Sequence, residues 1–382
     1  NIAYRNVGGA LEMQPFWTSH MTDTTRSVAL GDVDGDGRLD LVVGNCGSPN
    51  HIYRNEGLNQ DGRLRFDLLW TDAVSDTTTS VAVGDVDGDG LLDLVVGNSD
   101  ATEYCAGSGI TAMPNKLYLG NGATLEPTPA WESDEIDHTR SVALGDVDGD
   151  GDLDLAVGNA LGISSPDAGE NRVYLNQNGT LETTASWTTD VAQDTASVAW
   201  GDVDGDGNLD LATGEVGFAN QIYLNMGASL QITPTWASDA ELSTTSIAWG
   251  DVDGDGDLDL AAGNDVEVNS LYIYENLNLG TVPVWEQTDG IDLYNSVAWG
   301  DVDGDGDLDL VAGSDLNFSE VYLNQGGQLA DTPAWSEKLI GTQSLAWGDA
   351  DGDGDLDLAI GQDVNGSIVY RNDGVLFTDS VL

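Results

Sequence analysis

The chain has 382 residues, with 67 acidic side chains against 11 basic ones and a formal net charge of −56. Such a surface repels nucleic acid and anionic membranes and suits a highly soluble exterior, such as that of a protein from a saline habitat. Hydrophobic content of 40% with strong periodicity argues against disorder, and no stretch is long and apolar enough to insert as a membrane-spanning helix.

In chain order, the first elements are a strand-like copy of Tyr4-Arg5-Asn6 and a run ending at Trp17. "SVALG" then reads as a strand, "DVDGDGRLD" as a turn and "LDLVVGN" as a second strand, because the flanks are β-branched and apolar and end in Gly. The nine-residue pattern D-x-D-G-D-G-x-x-D then recurs seven times, starting at Asp32, Asp85, Asp146, Asp202, Asp251, Asp301 and Asp349, at spacings of 48 to 61 residues. A repeat of about 50 residues points to a propeller, solenoid or array. Each copy heads a unit with the same continuation. A third strand carries a tyrosine, mostly as Y-x-N (Tyr53, Tyr118, Tyr174, Tyr223, Tyr322, Tyr370), and a fourth ends in Trp (Trp70, Trp131, Trp187, Trp236, Trp285, Trp335). Four short strands per unit are the composition of a propeller blade. The remaining tryptophans, Trp200, Trp249, Trp299 and Trp347, share one position in the first strand. All eleven tryptophans are read as packing between blades, with an aromatic sugar platform as the sharper alternative.

Four carboxylates in nine residues make sense around a hard divalent cation, and calcium takes oxygen ligands from alternating loop positions. The candidate ligands are Asp32, Asp34, Asp36, Arg38 and Asp40 in loop 32–40, and Asp85, Asp87, Asp89, Leu91 and Asp93 in loop 85–93. Loop 146–154 offers Asp146, Asp148, Asp150, Asp152 and Asp154, and loop 202–210 offers Asp202, Asp204, Asp206, Asn208 and Asp210. Asp251, Asp253, Asp255, Asp257 and Asp259 follow in loop 251–259, then Asp301, Asp303, Asp305, Asp307 and Asp309 in loop 301–309. Asp349, Asp351, Asp353, Asp355 and Asp357 complete the set in loop 349–357. The seventh position tolerates Arg38 and Leu91, so it is expected to contribute its backbone carbonyl. The invariant Leu at position 8 is expected to be a buried anchor, and Gly at position 6 allows the left-handed turn. An EF-hand is excluded, since position 12 is never acidic and the flanks are not helical. Seven calcium ions would carry the formal charge from −56 only to −42, so the metal explains a part of the acidity.

"SVAVGDVDGDGLLDLVVGN" resembles the FG-GAP, or VCBS, repeat of integrin α-subunit headpieces, bacterial surface proteins and some fungal lectins. The resemblance covers essentially the whole chain. It implies an all-β fold in one domain, 1–382: a seven-bladed β-propeller of four-stranded antiparallel blades, with calcium between the first and second strands. The "GAP" of the family is here mostly "GN" (Gly44–Asn45, Gly97–Asn98, Gly158–Asn159, Gly263–Asn264), which favours a microbial relative over integrins proper. The chain holds seven calcium loops but eight copies of the third-strand motif. Closure by the N-terminal strand is therefore expected, with 10–17 beside 367–372 and residues 1–6 and 375–382 surplus.

The family usually binds ligand on the face opposite the calcium loops, formed by the connections from strand 2 to 3 and from strand 4 to the next strand 1. The 2–3 connections are longest in units 2 and 3, where 99–115 and 160–171 are the candidate ligand loops. Cys46 and Cys105, the two cysteines, fall in adjacent 2–3 connections and are expected to form a disulfide in an extracellular setting. His20, His51 and His138 read as solvent-exposed connection residues. Asn178, Asn317 and Asn365 open N-x-S/T sequons. No catalytic motif appears. The expected function is a calcium-stabilised, non-enzymatic binding or adhesion module, secreted or on the cell surface, that recognises an extracellular protein or glycan. The alternatives are a self-assembling subunit of a surface layer or filament, and a calcium-dependent propeller enzyme such as a polysaccharide lyase. The chain begins at Asn1 without Met or signal sequence and reads as a processed or excised segment.

Overall fold

The computed structural model describes residues 2–6, 11–18, 23–60, 64–99, 113–161, 169–227, 229–275, 278–287, 292–339, 341–363, 367–370 and 372. Every regular element among them is a strand, and none is helical. The molecule is a β-propeller built of four-stranded antiparallel blades. Unit 1 is typical: Thr25–Gly31, Asp40–Asn45, His51–Leu58 and Leu64–Thr71 pair in sequence order as one antiparallel sheet. Units 2 and 3 form separate sheets of the same order.

The strand pattern follows from the side chains. In each second strand the central residues are fully buried, as in Leu41, Val42 and Val43, because both faces of the sheet are covered by neighbouring units. The core therefore lies between units. One cluster joins Val33, Val42, Ile52 and Trp70 of unit 1 to Val81, Leu94, Val96 and Tyr118 of unit 2. Another joins Val28, Leu41 and Tyr53 of unit 1 to Ala350, Ala359 and Val369 of unit 7.

First strands are stitched together by a repeated side-chain bond. The Ser27 hydroxyl accepts the Val81 N–H at 3.1 Å, and Ser80, Ser141, Ser197, Ser246 and Ser296 do the same for the unit that follows each. Ser344 in turn accepts the Val28 N–H at 3.2 Å, so the last unit makes the same bond to the first. A second recurring contact ends each first strand. A Cβ on Gly31 would lie 2.9 Å from Leu92 Cδ1, and one on Gly348 would lie 2.7 Å from Leu39 Cδ1. Position 8 of each loop thus packs into the notch left by the glycine of the preceding unit. The anchoring role expected of Leu39 and its equivalents holds, but these leucines are half-buried.

Two features depart from the simple repeat. Units 4 to 6 keep their internal pairing but merge into one ten-stranded sheet, because connections pair as well. Val216, Phe218 and Ala219 of a 2–3 connection lie opposite Ser243, Leu242 and Glu241 of a 4–1 connection, and Asp265 lies opposite Leu293. The second departure corrects an expectation. The strand beside Ile368–Tyr370 is Ile2–Asn6, paired parallel as Ile2–Ile368, Ala3–Val369 and Tyr4–Tyr370, and Leu11–Thr18 pairs antiparallel beyond it. Residues 2–6 are therefore not surplus, and 375–382 lie outside the described residues. The two N-terminal segments form one hairpin, of which a single edge can meet the sheet, and I-A-Y matches I-V-Y residue for residue.

Candidate metal centre

Each loop is a tight turn in which two glycines, at positions 4 and 6, take left-handed conformations. Gly35 and Gly37 have φ of 72° and 89°, and the other six loops repeat the pair. This backbone aims consecutive N–H groups inward at the carboxylates. The Gly37 N–H donates to Asp32 Oδ2 at 2.9 Å, the Asp36 N–H to Asp34 Oδ1 at 3.2 Å and the Arg38 N–H to Asp36 Oδ1 at 3.0 Å. The acids at positions 1, 3 and 5 are thus each gripped by the turn that carries them.

Position 9 is held differently. Asp40 is fully buried, with Oδ2 accepting the Val33 N–H and Oδ1 accepting the Asn55 N–H. The same two bonds recur at Asp93, Asp154, Asp210, Asp259, Asp309 and Asp357. Burial pushes the carboxyls of Asp40, Asp154, Asp210, Asp259 and Asp309 up to about 6 and that of Asp357 to about 8, against the downward pull of these N–H donors. Position 7 turns away: Asp152 Oδ2 accepts the Asn178 N–H, Asp307 Oδ2 accepts the Gly326 N–H, and Arg38 Nε donates to the Asn55 carbonyl. Arg38 and Asn208 also donate to the position 5 acids of their own loops, Asp36 and Asp206, so the position 7 side chain braces the turn and the hairpin beside it.

The residues fit a cation. Carboxylate oxygens lie within 4.8 Å of one another in sets of three: Asp32, Asp34 and Asp36; Asp85, Asp87 and Asp93; Asp146, Asp148 and Asp154; Asp202, Asp204 and Asp206; Asp251, Asp253 and Asp255. Oδ1 of Asp85, Asp202 and Asp251 is buried without a hydrogen-bond partner, while Oδ2 of each is pinned by the turn. A buried carboxylate oxygen with no donor is costly unless a positive ion meets it. An all-oxygen set from alternating positions suits a hard ion such as calcium.

The tryptophans pack between units. Trp70, Trp131, Trp187, Trp236, Trp285 and Trp335 stand edge-on to Tyr118, Tyr174, Tyr223, Tyr272, Tyr322 and Tyr370 of the next unit, with centroids 5.2 to 5.6 Å apart. In the first strands, the indoles of Trp200, Trp249 and Trp299 donate to the Ala143, Ala199 and Ala248 carbonyls of the preceding unit.

On the connection face, the third strand opens with a variable polar residue that sequence reasoning missed. Lys116 is buried in an ion pair with Asp76, Arg172 pairs with Asp137, and Glu320 accepts from Tyr322, Tyr294, Gln287 and Ser336. The only signal available was a polar residue two places before six of the seven tyrosines, Tyr370 being preceded by Ile368. His51 belongs to this set and corrects an expectation: it is 3% exposed, with Nδ1 against Thr71 Oγ1 and Nε2 against Asp23 Oδ2. Burial lowers its pKa against the pull of Asp23. His138 is half-buried, and His20 and Asn365 lie outside the described residues. Cys46 is buried and its backbone forms an isolated antiparallel β-bridge with Thr77, whereas Cys105 lies outside the described residues, as do most of the candidate ligand loops, at 100–112 and 162–168.

A family model for the FG-GAP-like repeat matches residues 32–96, 161–213, 251–312 and 301–360, and one for the FG-GAP repeat matches 138–175. Cartilage acidic protein 1 from Xenopus tropicalis is 28% identical over 149 residues, which are 37% of this chain and 22% of that protein's length. Among solved structures, BBS1N in complex with ARL6DN superposes with a TM-score of 0.61 at 12% identity for the mercury-soaked crystal, covering 94% of this chain and 96% of that one. The lead-soaked crystal gives 0.60 at 12% identity, with 92% and 94% covered. At that identity the likeness speaks for the fold alone. The family matches span more than half of the chain and fall on the loops just described: this chain belongs to the FG-GAP-like repeat family.

Proposed function

We propose that the chain is a calcium-stabilised, non-enzymatic binding module working outside the cell. In this reading seven blades close into a ring, and the face carrying the 2–3 and 4–1 connections meets a protein or glycan partner. The observation that carries the calcium assignment is the buried, donorless Oδ1 of Asp85, Asp202 and Asp251, whose Oδ2 atoms are already pinned by the turn. Calcium supplies the positive charge that lets clustered carboxylates coexist. The chain's own part is to hold each acid by backbone N–H groups in a preformed turn.

Seven blades and closure are supported by the serine bonds, which pass from each unit to the next and from Ser344 to Val28. A disulfide between Cys46 and Cys105 fits the absence of a free cysteine among the described residues. The binding face is supported by exposed apolar side chains on its connections: Val74, Ile136, Leu161, Val191, Phe218 and Leu316. Val266, on the same face, is 59% exposed and left-handed at φ 56°, a conformation that a β-branched residue rarely holds. A relative named for cartilage agrees with an extracellular role.

The test has two parts. Calorimetry on chelator-stripped protein reads calcium uptake, and glycan arrays and extracellular-protein panels are screened with and without calcium. Trimming 99–115 and 160–171 should abolish partner binding and leave the melting temperature near that of the parent. Binding that survives trimming moves the site elsewhere. The self-assembly reading is favoured by one observation, the N-terminal hairpin that extends the last sheet to Leu11–Thr18. Sedimentation of the purified protein as one small species would remove it.

A further inference from the structure

We propose that the asparagine ending the third strand couples each calcium loop to its neighbour, and that these couplings divide the seven loops into two cooperative groups. Loops 5, 6, 7 and 1 form one group and loops 2, 3 and 4 the other. The inference rests on the calcium reading above.

Each asparagine touches two loops. Its main-chain N–H fixes position 9 of its own loop: Asn55 on Asp40, Asn176 on Asp154, Asn225 on Asp210, Asn324 on Asp309 and Asn372 on Asp357, at 2.6 to 2.8 Å. Its side-chain amide donates to the position 2 carbonyl of the preceding unit's loop. Asn176 reaches Val86, Asn225 reaches Val147, Asn324 reaches Val252, Asn372 reaches Val302 and Asn55 reaches Ala350, at 2.6 to 2.7 Å. All five asparagines are buried to within 1%.

Position 2 sits between the ligand acids of positions 1 and 3, and its N–H is held by position 9 of the same loop. An ion that draws positions 1 and 3 together fixes the peptide between them. That carbonyl orients the next unit's asparagine, whose N–H orients the next position 9 carboxylate. The second ion then meets a loop already partly ordered, which is positive cooperativity.

The series is interrupted twice. Unit 2 has Gly120 and unit 5 has Tyr274 where the asparagine should stand. Both keep the N–H bond to Asp93 and Asp259, at 2.8 Å, but neither has an amide to donate. Tyr274 instead puts a phenol near Asp204 of loop 4 and Asp257 of loop 5. The interruptions fall between loops 1 and 2 and between loops 4 and 5, leaving runs of four and three. Gly120 is not a free choice: a Cβ there would meet the Leu92 carbonyl oxygen at 2.5 Å.

The test is calcium titration of the full chain by calorimetry, with hydrogen exchange of loop peptides read by mass spectrometry. Asp301→Asn, in loop 6, should weaken calcium protection of loops 5, 7 and 1 about fivefold or more and leave loops 2, 3 and 4 unchanged. Asn324→Ala should uncouple loop 5 from loop 6 while both still fill. Tyr274→Asn, combined with Asp301→Asn, should carry the weakening into loops 4, 3 and 2. An effect confined to loop 6, or spread evenly over all seven loops, overturns the grouping. Calcium uptake by seven independent loops overturns the coupling alone, and no uptake overturns the calcium reading and the coupling together.

Discussion

The indole of Trp70 meets the ring of Tyr118 edge-on, with centroids 5.2 Å apart and planes inclined by 68°. One residue ends the fourth strand of a unit and the other sits in the third strand of the next, so the pair is a joint. Replacing Trp131, which makes the same joint with Tyr174, by Ala should cost about 3–5 kcal/mol and lower the melting temperature. Its glycan binding should be unchanged per folded molecule. A stability-neutral Trp131→Ala that loses sugar binding would reinstate the aromatic platform.

Metal removal should be read on the same scale. Excess chelator should lower the melting temperature substantially, calcium should restore it, and magnesium should restore it poorly, since it prefers a smaller octahedral site. Asp85→Ala should empty one loop and leave the propeller folded. An unchanged melting temperature in chelator would count against structural calcium.

Positions 5 and 9 should separate by their dependence on the ion. Asp210 accepts an N–H on both oxygens, so Asp210→Asn points an amide donor at one of them and should destabilise with calcium or without it, by about 1–3 kcal/mol. Asp206 is exposed, and Asp206→Asn should be felt in calcium and be nearly silent in chelator. Equal behaviour of the two variants in both conditions would remove the distinction.

Glu215 stands where most units have Asn after the strand-2 glycine. It is fully buried, and Thr195 Oγ1 donates to both carboxylate oxygens at 3.0 Å. Burial pushes its pKa up from 4.5 to about 7, against the pull of Thr213 and Thr195. A carboxyl raised in the folded state contributes stability that is full below about 4.5 and lost as pH rises through 7. Glu215→Gln carries no such penalty. It should match the parent near pH 4.5 and exceed it above pH 8, by about 3 kcal/mol at most. Denaturation at fixed calcium across that range checks the divergence, and a constant gap between the two proteins would refute it.

Much of the architecture was legible because its determinants are local. The loops announce themselves through Asp and Gly spacing, and the strands on either side through runs such as Leu41–Val43. Trp70 was placed as a packing residue by recurrence alone, and Tyr118 as a landmark of the third strand. What stayed hidden depends on partners far away in sequence. Nothing in Val216–Ala219 marks it as a strand until Glu241–Ser243 lies opposite, and His51 looks like any polar connection residue until Asp23 and Thr71 cover it. The N-terminal hairpin misled for another reason. Ile2–Tyr4 carries a third-strand pattern, and the pattern does not state that its neighbour will be another third strand running the same way.

The notch at Gly31 and the leucine that fills it have a consequence for how such a chain grows and shrinks. Every unit brings a socket at the end of its first strand and a plug at position 8 of its loop, and the plug always enters the socket of the unit before. Any unit can follow any other without redesign of the joint, so duplication or loss of a whole unit creates no mismatched seam. Beside each plug the notch also meets a first-strand residue of the following unit, Val83 at Gly31 and Trp200 at Gly145, and there the joint drifts. Glycine and leucine stay fixed in all seven units, so variation accumulates on the first-strand residue beside them, and neighbouring units diverge while remaining interchangeable.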